Sequence, residues 1–150
     1  MIRLGAVALG SIAVCALVGH LRANPGGFAP LPLVVSGLVA CPSPRHHDGD
    51  AIRCEGQRGK SMRLYAIDAP EMPGVCRPGR RCVPGDPFAS RDHLASLTAG
   101  RRVTYRVLGH DRYGRSVVQV FADGVDVSCQ MVRGGYAIER YGRLRCDQRQ

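Results

Sequence analysis

The chain has 150 residues, enough for one domain with a real core and too few for two of ordinary size. Lys and Arg number 21 against 12 Asp and Glu, a net charge of +9, and every cation except Lys60 is arginine. That balance points to a polyanion as partner, nucleic acid or an anionic membrane surface, without choosing between them.

In chain order, the first 40 residues hold only Arg3 and Arg22 as strong charges, and Leu4 to Gly19 is a 16-residue apolar stretch. This is the layout of a signal peptide or signal anchor, slightly short of the ~20 residues that a spanning helix prefers. A second apolar stretch, Phe28 to Ala40, ends in "LVAC", which looks like a lipoprotein cleavage box with Cys41 as the lipidated residue. Residues 1–40 are therefore expected to be an export or anchor segment with a Gly/Pro-rich linker, and residues 41–150 the folded domain. Such a chain would be periplasmic, extracellular or membrane-anchored facing outward.

Beyond Cys15, six cysteines remain: Cys41, Cys54, Cys76, Cys82, Cys129 and Cys146. An even number behind an export signal argues for disulfides. Sequence alone does not dictate connectivity; the pairing adopted is Cys41 with Cys54, Cys76 with Cys82 and Cys129 with Cys146. Zinc is the competing reading, but no CxxC pair occurs and His46 and His47 have no matching ligand set.

"DGD" at 48–50 is a turn signal leading into a strand over Ala51–Glu55, and "EGQRG" turns the chain into a strand over Ser61–Ile67. Met72 to Gly85, rich in Pro and Gly, reads as a loop that a Cys76–Cys82 bridge would pin. Asp86 has N-cap character and Pro87 suits a first helical position, so a helix should run from Pro87 to Thr98, with Phe88, Leu94, Ala95 and Leu97 on its apolar side. Alternation predicts strands over Val103–Val107 and Arg115–Ala122. A short helix over Val127–Arg133 should stop at Gly134. Strands, a helix, more strands and a helix, without βαβ alternation, suggest an α+β fold: a small closed or half-closed barrel with helices packed on it.

Three clusters carry chemistry: "DGD", "RLYAIDAPE" at 63–71 and "DRYGR" at 111–115. "DGD" alone suits an Asx-type turn and "DRYGR" a charged hairpin loop. In the second cluster Arg63 and Asp68 lie five apart on what reads as one extended segment, so they should face opposite ways unless a bulge intervenes, and need not pair. Asp68 and Glu71 bracket a Pro-fixed bend that brings two carboxylates together. Close carboxylates repel unless a cation sits between them, and a hard divalent ion uses such oxygens with backbone carbonyls and water. Carboxylates for a hard cation, a further carboxylate to activate water, and arginines for a phosphodiester are what hydrolysis of a phosphate needs.

At these residues the sequence resembles the staphylococcal nuclease, or thermonuclease, family. The resemblance runs from about Asp48 to Tyr141 and rests on the three ordered motifs, with "ADGVDVSCQMVRGGYA" as a softer fourth. It implies a five-stranded OB-fold β-barrel with two packed helices, and a monomeric enzyme that cleaves single-stranded or frayed DNA and RNA with calcium, leaving 3′-phosphate ends. Carried over residue by residue, Asp50 and Asp68 match the calcium carboxylates and the Ala69 carbonyl a backbone ligand. Glu71 matches the general base, and Arg63 and Arg115 the arginines that grip the scissile phosphate. Arg112 and Tyr113 sit where the family contacts a terminal phosphate, and Tyr141 where an aromatic ring stacks on a base.

The chain departs from the pattern in three places. Ala51 stands where the family usually has Thr, removing a hydroxyl beside the metal. The third helix of the best-studied member is not expected after Tyr141. The cysteine loop after Glu71 brings Arg77, Arg80 and Arg81, with Arg91 and Arg101 around the following helix, as an extension of the groove or as a solvated face. The competing function is a catalytically silent module of the same fold that binds single strands or a protein. A membrane-tethered structural protein, its charge meeting lipid headgroups, is a third reading.

Overall fold

The computed structural model describes residues 37–147, and the apolar segment assigned to export or anchoring lies outside them. Among the described residues no helix is long and apolar enough to cross a membrane.

Strands β1 (Val39–Ala40), β2 (Ala51–Ile52), β3 (Met62–Leu64) and β4 (Ile67–Asp68) precede helix α1 (Pro87–Thr98). Then come β5 (Val103–His110), β6 (Ser116–Ala122), β7 (Val125–Asp126), helix α2 (Val127–Arg133) and β8 (Ile138–Glu139). The main sheet runs β1-β5-β6-β3-β2 with β7 on the flank of β6, and β4 pairs separately with β8. The sheet is mixed: β5 and β6 form an antiparallel hairpin, whereas β3 lies parallel to β6, with Arg63 opposite Val117 and Leu64 opposite Val118.

The strands follow this open path, and no continuous strand ladder closes it into the expected five-stranded barrel among the described residues. Its two ends are tied together in other ways. Arg45 and Arg53 exchange backbone hydrogen bonds at 2.8 and 2.9 Å, the Glu55 N–H donates to the Pro42 carbonyl, and Cys41 is bonded to Cys54. The other two bridges also follow the adopted pairing, Cys76 with Cys82 and Cys129 with Cys146. A sulfur in the Cys41–Cys54 bond is not free to carry a lipid, so lipidation and this bridge exclude each other.

Both helices occupy the expected ranges because their caps are encoded locally. The Asp86 carboxylate accepts the N–H groups of Phe88 and Ala89, and the Asp126 carboxylate accepts that of Cys129, each satisfying amides that would otherwise lack partners. Helix α1 buries Ser90, Leu94 and Thr98, one stripe at helical spacing. Phe88, expected on that face, is exposed, with Arg91 lying 5.4 Å over its ring. The stripe follows Leu94, and Phe88 lies off it, about one and two-thirds turns earlier. The core joins Ile52, Met62, Leu64, Ile67, Leu94, Val118, Val120, Val127 and Met131.

The strand expected over Ser61–Ile67 is broken. Tyr65 and Ala66 form a turn with Ala66 at φ 60°, and the chain leaves the main sheet to pair as β4 with β8. The turn is held from outside: the Arg140 N–H donates to the Ala66 carbonyl, and Gly142 packs so closely that an added Cβ would lie 3.0 Å from Ala66 and Tyr65. The strand expected over Ala51–Glu55 is likewise shorter, ending as a regular strand at Ile52.

Candidate active site

Asp50 enters the site from the "DGD" turn, where its own N–H donates to the Asp48 carboxylate at 3.3 Å. Gly49 lies against α1, and a Cβ there would fall 1.8 Å from Ser90 Oγ and 2.9 Å from Ala69 Cβ. Only a residue without a side chain lets the turn approach this closely. Asp50 Oδ2 accepts the Ala69 N–H at 2.9 Å, so the two predicted metal-site segments are stitched to each other.

The turn at Tyr65–Ala66 folds Asp68 back toward Arg63, so the two do pair, contrary to the reading of one extended segment. Nη2 of Arg63 lies 2.5 Å from Asp50 Oδ2 and 2.7 Å from Asp68 Oδ1. One guanidinium nitrogen therefore joins the two carboxylates assigned to the metal. Asp68 is fully buried and accepts from two further arginines: Arg80 through Nη2 at 2.9 Å, and Arg140 through Nη1 at 2.7 Å. Arg80 also donates through Nη1 to Glu71 Oε1, so its fork spans both Glu71 and Asp68. Arg140 reaches in from the end of β8 and donates to the Arg81 carbonyl as well.

Burial pushes the Asp50 carboxyl up, to about 8, against the pull of the Arg63 guanidinium beside it. A hard cation would remove that penalty by supplying charge. The pair of carboxylates, both converging on one cationic nitrogen, could hold a hard cation with carbonyl and water oxygens completing its shell. Among the described residues no three His, Cys, Asp or Glu side chains group closely enough to hold an ion by themselves. The third and later ligands would have to come from the backbone or from water. Ala51, in the position of the usual Thr, is buried opposite Arg63 and offers no side-chain oxygen.

Arg115 is placed apart from this knot. It stands just before β6, two residues from Val117, the partner of Arg63. Its Nε donates to Asp111 Oδ2 at 2.7 Å, while Asp111 Oδ1 accepts the N–H groups of Tyr113 and Arg115. Slight burial raises the Asp111 pKa, but these donors outweigh it and hold the carboxyl below its usual range. Tyr113 is half exposed and surrounded by cations: Arg112 at 4.9 Å, Arg115 at 5.6 Å and Arg77 at 5.9 Å from its ring centroid. The hydrogen bond from Arg112 and these charges lower its phenol pKa. Tyr141 is 71% exposed, an open aromatic face with Arg140 at 5.8 Å.

The described structure thus brings Asp50, Arg63, Asp68, Ala69 and Glu71 together, with Arg112, Tyr113 and Arg115 forming a separate cationic cluster on the β5–β6 turn. Sequence reasoning missed Arg140 altogether and saw Arg80 only as part of a basic groove. Arg140 precedes Tyr141, the one hint of its involvement; nothing in the local pattern reveals that it crosses 72 residues to Asp68.

Residues 61–150 match the family model described as staphylococcal nuclease homologue. The chain is 40% identical over 92 residues to an uncharacterized endonuclease of Escherichia coli O157:H7, covering 60% of this chain and 54% of that protein. It is 30% identical over 95 residues to a protein of Yarrowia lipolytica named "probable endonuclease", covering 59% of this chain and 39% of that protein. The chain spans about half the length, or less, of these curated relatives. With more than half its length matched, the chain belongs to the staphylococcal nuclease homologue family.

Proposed function

We propose that this chain is an exported, calcium-dependent nuclease that hydrolyses phosphodiester bonds of DNA and RNA, with single strands preferred. The observation that carries the reading is the single Arg63 nitrogen touching both Asp50 and Asp68, with Glu71 linked to the same Asp68 through Arg80. Two metal-type carboxylates, a base and phosphate-matched cations share one place.

Asp50, Asp68 and the Ala69 carbonyl would hold the calcium ion. When bound it supplies positive charge for the phosphate oxygens and the carboxylates alike. Glu71 would take a proton from a water aimed at phosphorus. Arg63, held by Nη2 beside both acids, would donate to an equatorial oxygen as charge builds there. Arg115 is bonded through Nε, which leaves its Nη atoms for a second oxygen. Arg112 and Tyr113 would receive a neighbouring phosphate, and the exposed Tyr141 ring would stack on a base. Contacts of this kind read phosphate and stacking rather than base edges, so both nucleic acids would be cut.

The test is incubation of the chain with a single-stranded oligonucleotide, in calcium or in chelator. Cleavage should require calcium and fall about 10²–10⁴-fold in Glu71→Gln. Binding without cleavage at every calcium concentration would replace this reading with that of a silent binding module. Export is tested by whether the chain is recovered outside the cytoplasm.

A further inference from the structure

We infer that Arg80 is a third phosphate-holding arginine of this site, stored in the free protein on Asp68 and Glu71, the carboxylates it must release for the reaction. The inference rests on the calcium-dependent nuclease reading and adds a residue and an order of events to it.

Arg80 lies in the loop closed by the Cys76–Cys82 bond, and its two terminal nitrogens are divided between Glu71 and Asp68. Asp68 has no exposure of its own, and its two oxygens already accept from three guanidiniums. An incoming cation needs a free lone pair there. Arg80 is the partner most easily displaced. Its side chain is 33% exposed, against 13% for Arg63 and 26% for Arg140, and it comes from a loop. The same movement releases the Glu71 oxygen that now accepts from Arg80.

The released fork has an obvious new partner. A guanidinium that matches two carboxylate oxygens matches two phosphate oxygens equally well. The loop is already aimed along the path of a strand: Arg77, three residues earlier, lies over Tyr113 beside Arg112 and Arg115, and the Arg81 carbonyl is held by Arg140. One short loop thus reaches both the carboxylates and the cationic cluster. Because cation and Arg80 compete for the same oxygens, and Arg80 and substrate attract each other, metal and nucleic acid should each favour the binding of the other.

The experiment compares the full chain with Arg80→Gln, Arg80→Lys and the pair Cys76→Ser with Cys82→Ser. Calcium alone is titrated by calorimetry, and KM for a single-stranded oligonucleotide is then measured at saturating calcium. Arg80→Gln should bind calcium about three- to tenfold more tightly, because a partly exposed ion pair has been removed. Its KM should rise by a similar factor. Arg80→Lys, which keeps the charge, should leave calcium affinity near that of the parent. The cysteine pair, by loosening the loop, should tighten calcium in the same direction as Arg80→Gln. A merely structural Arg80 would weaken both ligands together. Unchanged or weaker calcium binding in Arg80→Gln, or an unchanged KM, overturns this inference alone. Failure of the parent to bind calcium overturns it together with the reading beneath it.

Discussion

Gly49 shows how closely a single position can constrain the site. The turn that presents Asp50 lies directly on α1, and the space a methyl group would take is filled by Ser90 Oγ, itself buried and donating to the Tyr136 carbonyl at 2.7 Å. Gly49→Ala should therefore cost about 1–3 kcal/mol by overpacking, read as a drop in thermal midpoint. Asp50 has a pH signature. Its folded pKa is raised above the unfolded value, so its contribution to stability is complete below about 4 and is lost as pH rises through about 8. In chelator, the midpoint of Asp50→Asn minus that of the parent should grow between those limits. Calcium affinity of the parent should rise over the same range, because binding expels the Asp50 proton. Asp50 and Asp68 were visible as acids at a turn and a strand end. That Asp50 would be buried with a raised pKa was not, since burial is set by Ala69 and α1, elements distant in sequence.

At the scale of elements, the helices were legible to the residue and the strands were not. Helix ends are written in short-range chemistry: the Asp86–Pro87 start of α1 was legible from it and is borne out, whereas the Asp126 cap of α2, of the same kind, was not read in advance. Asp126 does more than cap. Its second oxygen accepts Gln119 Nε2 at 2.6 Å, fastening α2 to β6. Asp126→Ala should lose about 1–3 kcal/mol, cap and buried bond together, measured by denaturant unfolding. The break between β3 and β4 was hidden because Leu64 to Ile67 is an unbroken apolar run and alanine is no signal for a positive φ. What enforces it lies at Arg140 and Gly142. The pairing of Arg63 with Asp68 was missed for the same reason.

For the whole molecule, the α+β class followed from element order, but the mixed sheet did not, because parallel pairing of β3 with β6 leaves no local trace. The ends of that sheet are joined by the Cys41–Cys54 bond and a few backbone hydrogen bonds. Replacing both cysteines with serine should lower stability by about 2–4 kcal/mol while leaving calcium affinity within about twofold, since neither residue touches the site. The measurement is thermal unfolding alongside calcium titration.

The parallel contact also has a meaning in time. Arg63 finds its neighbour Val117 only after the intervening chain has been made and folded back, and Asp68 waits still longer for Arg140. Contacts of such long range form late and slowly. A growing chain that has produced Asp50, Asp68 and Glu71 therefore still lacks the strand that supports β3 and an arginine that anchors Asp68. The neighbours of Arg63 and Asp68 are complete only once the chain has been made through Arg140 and folded back.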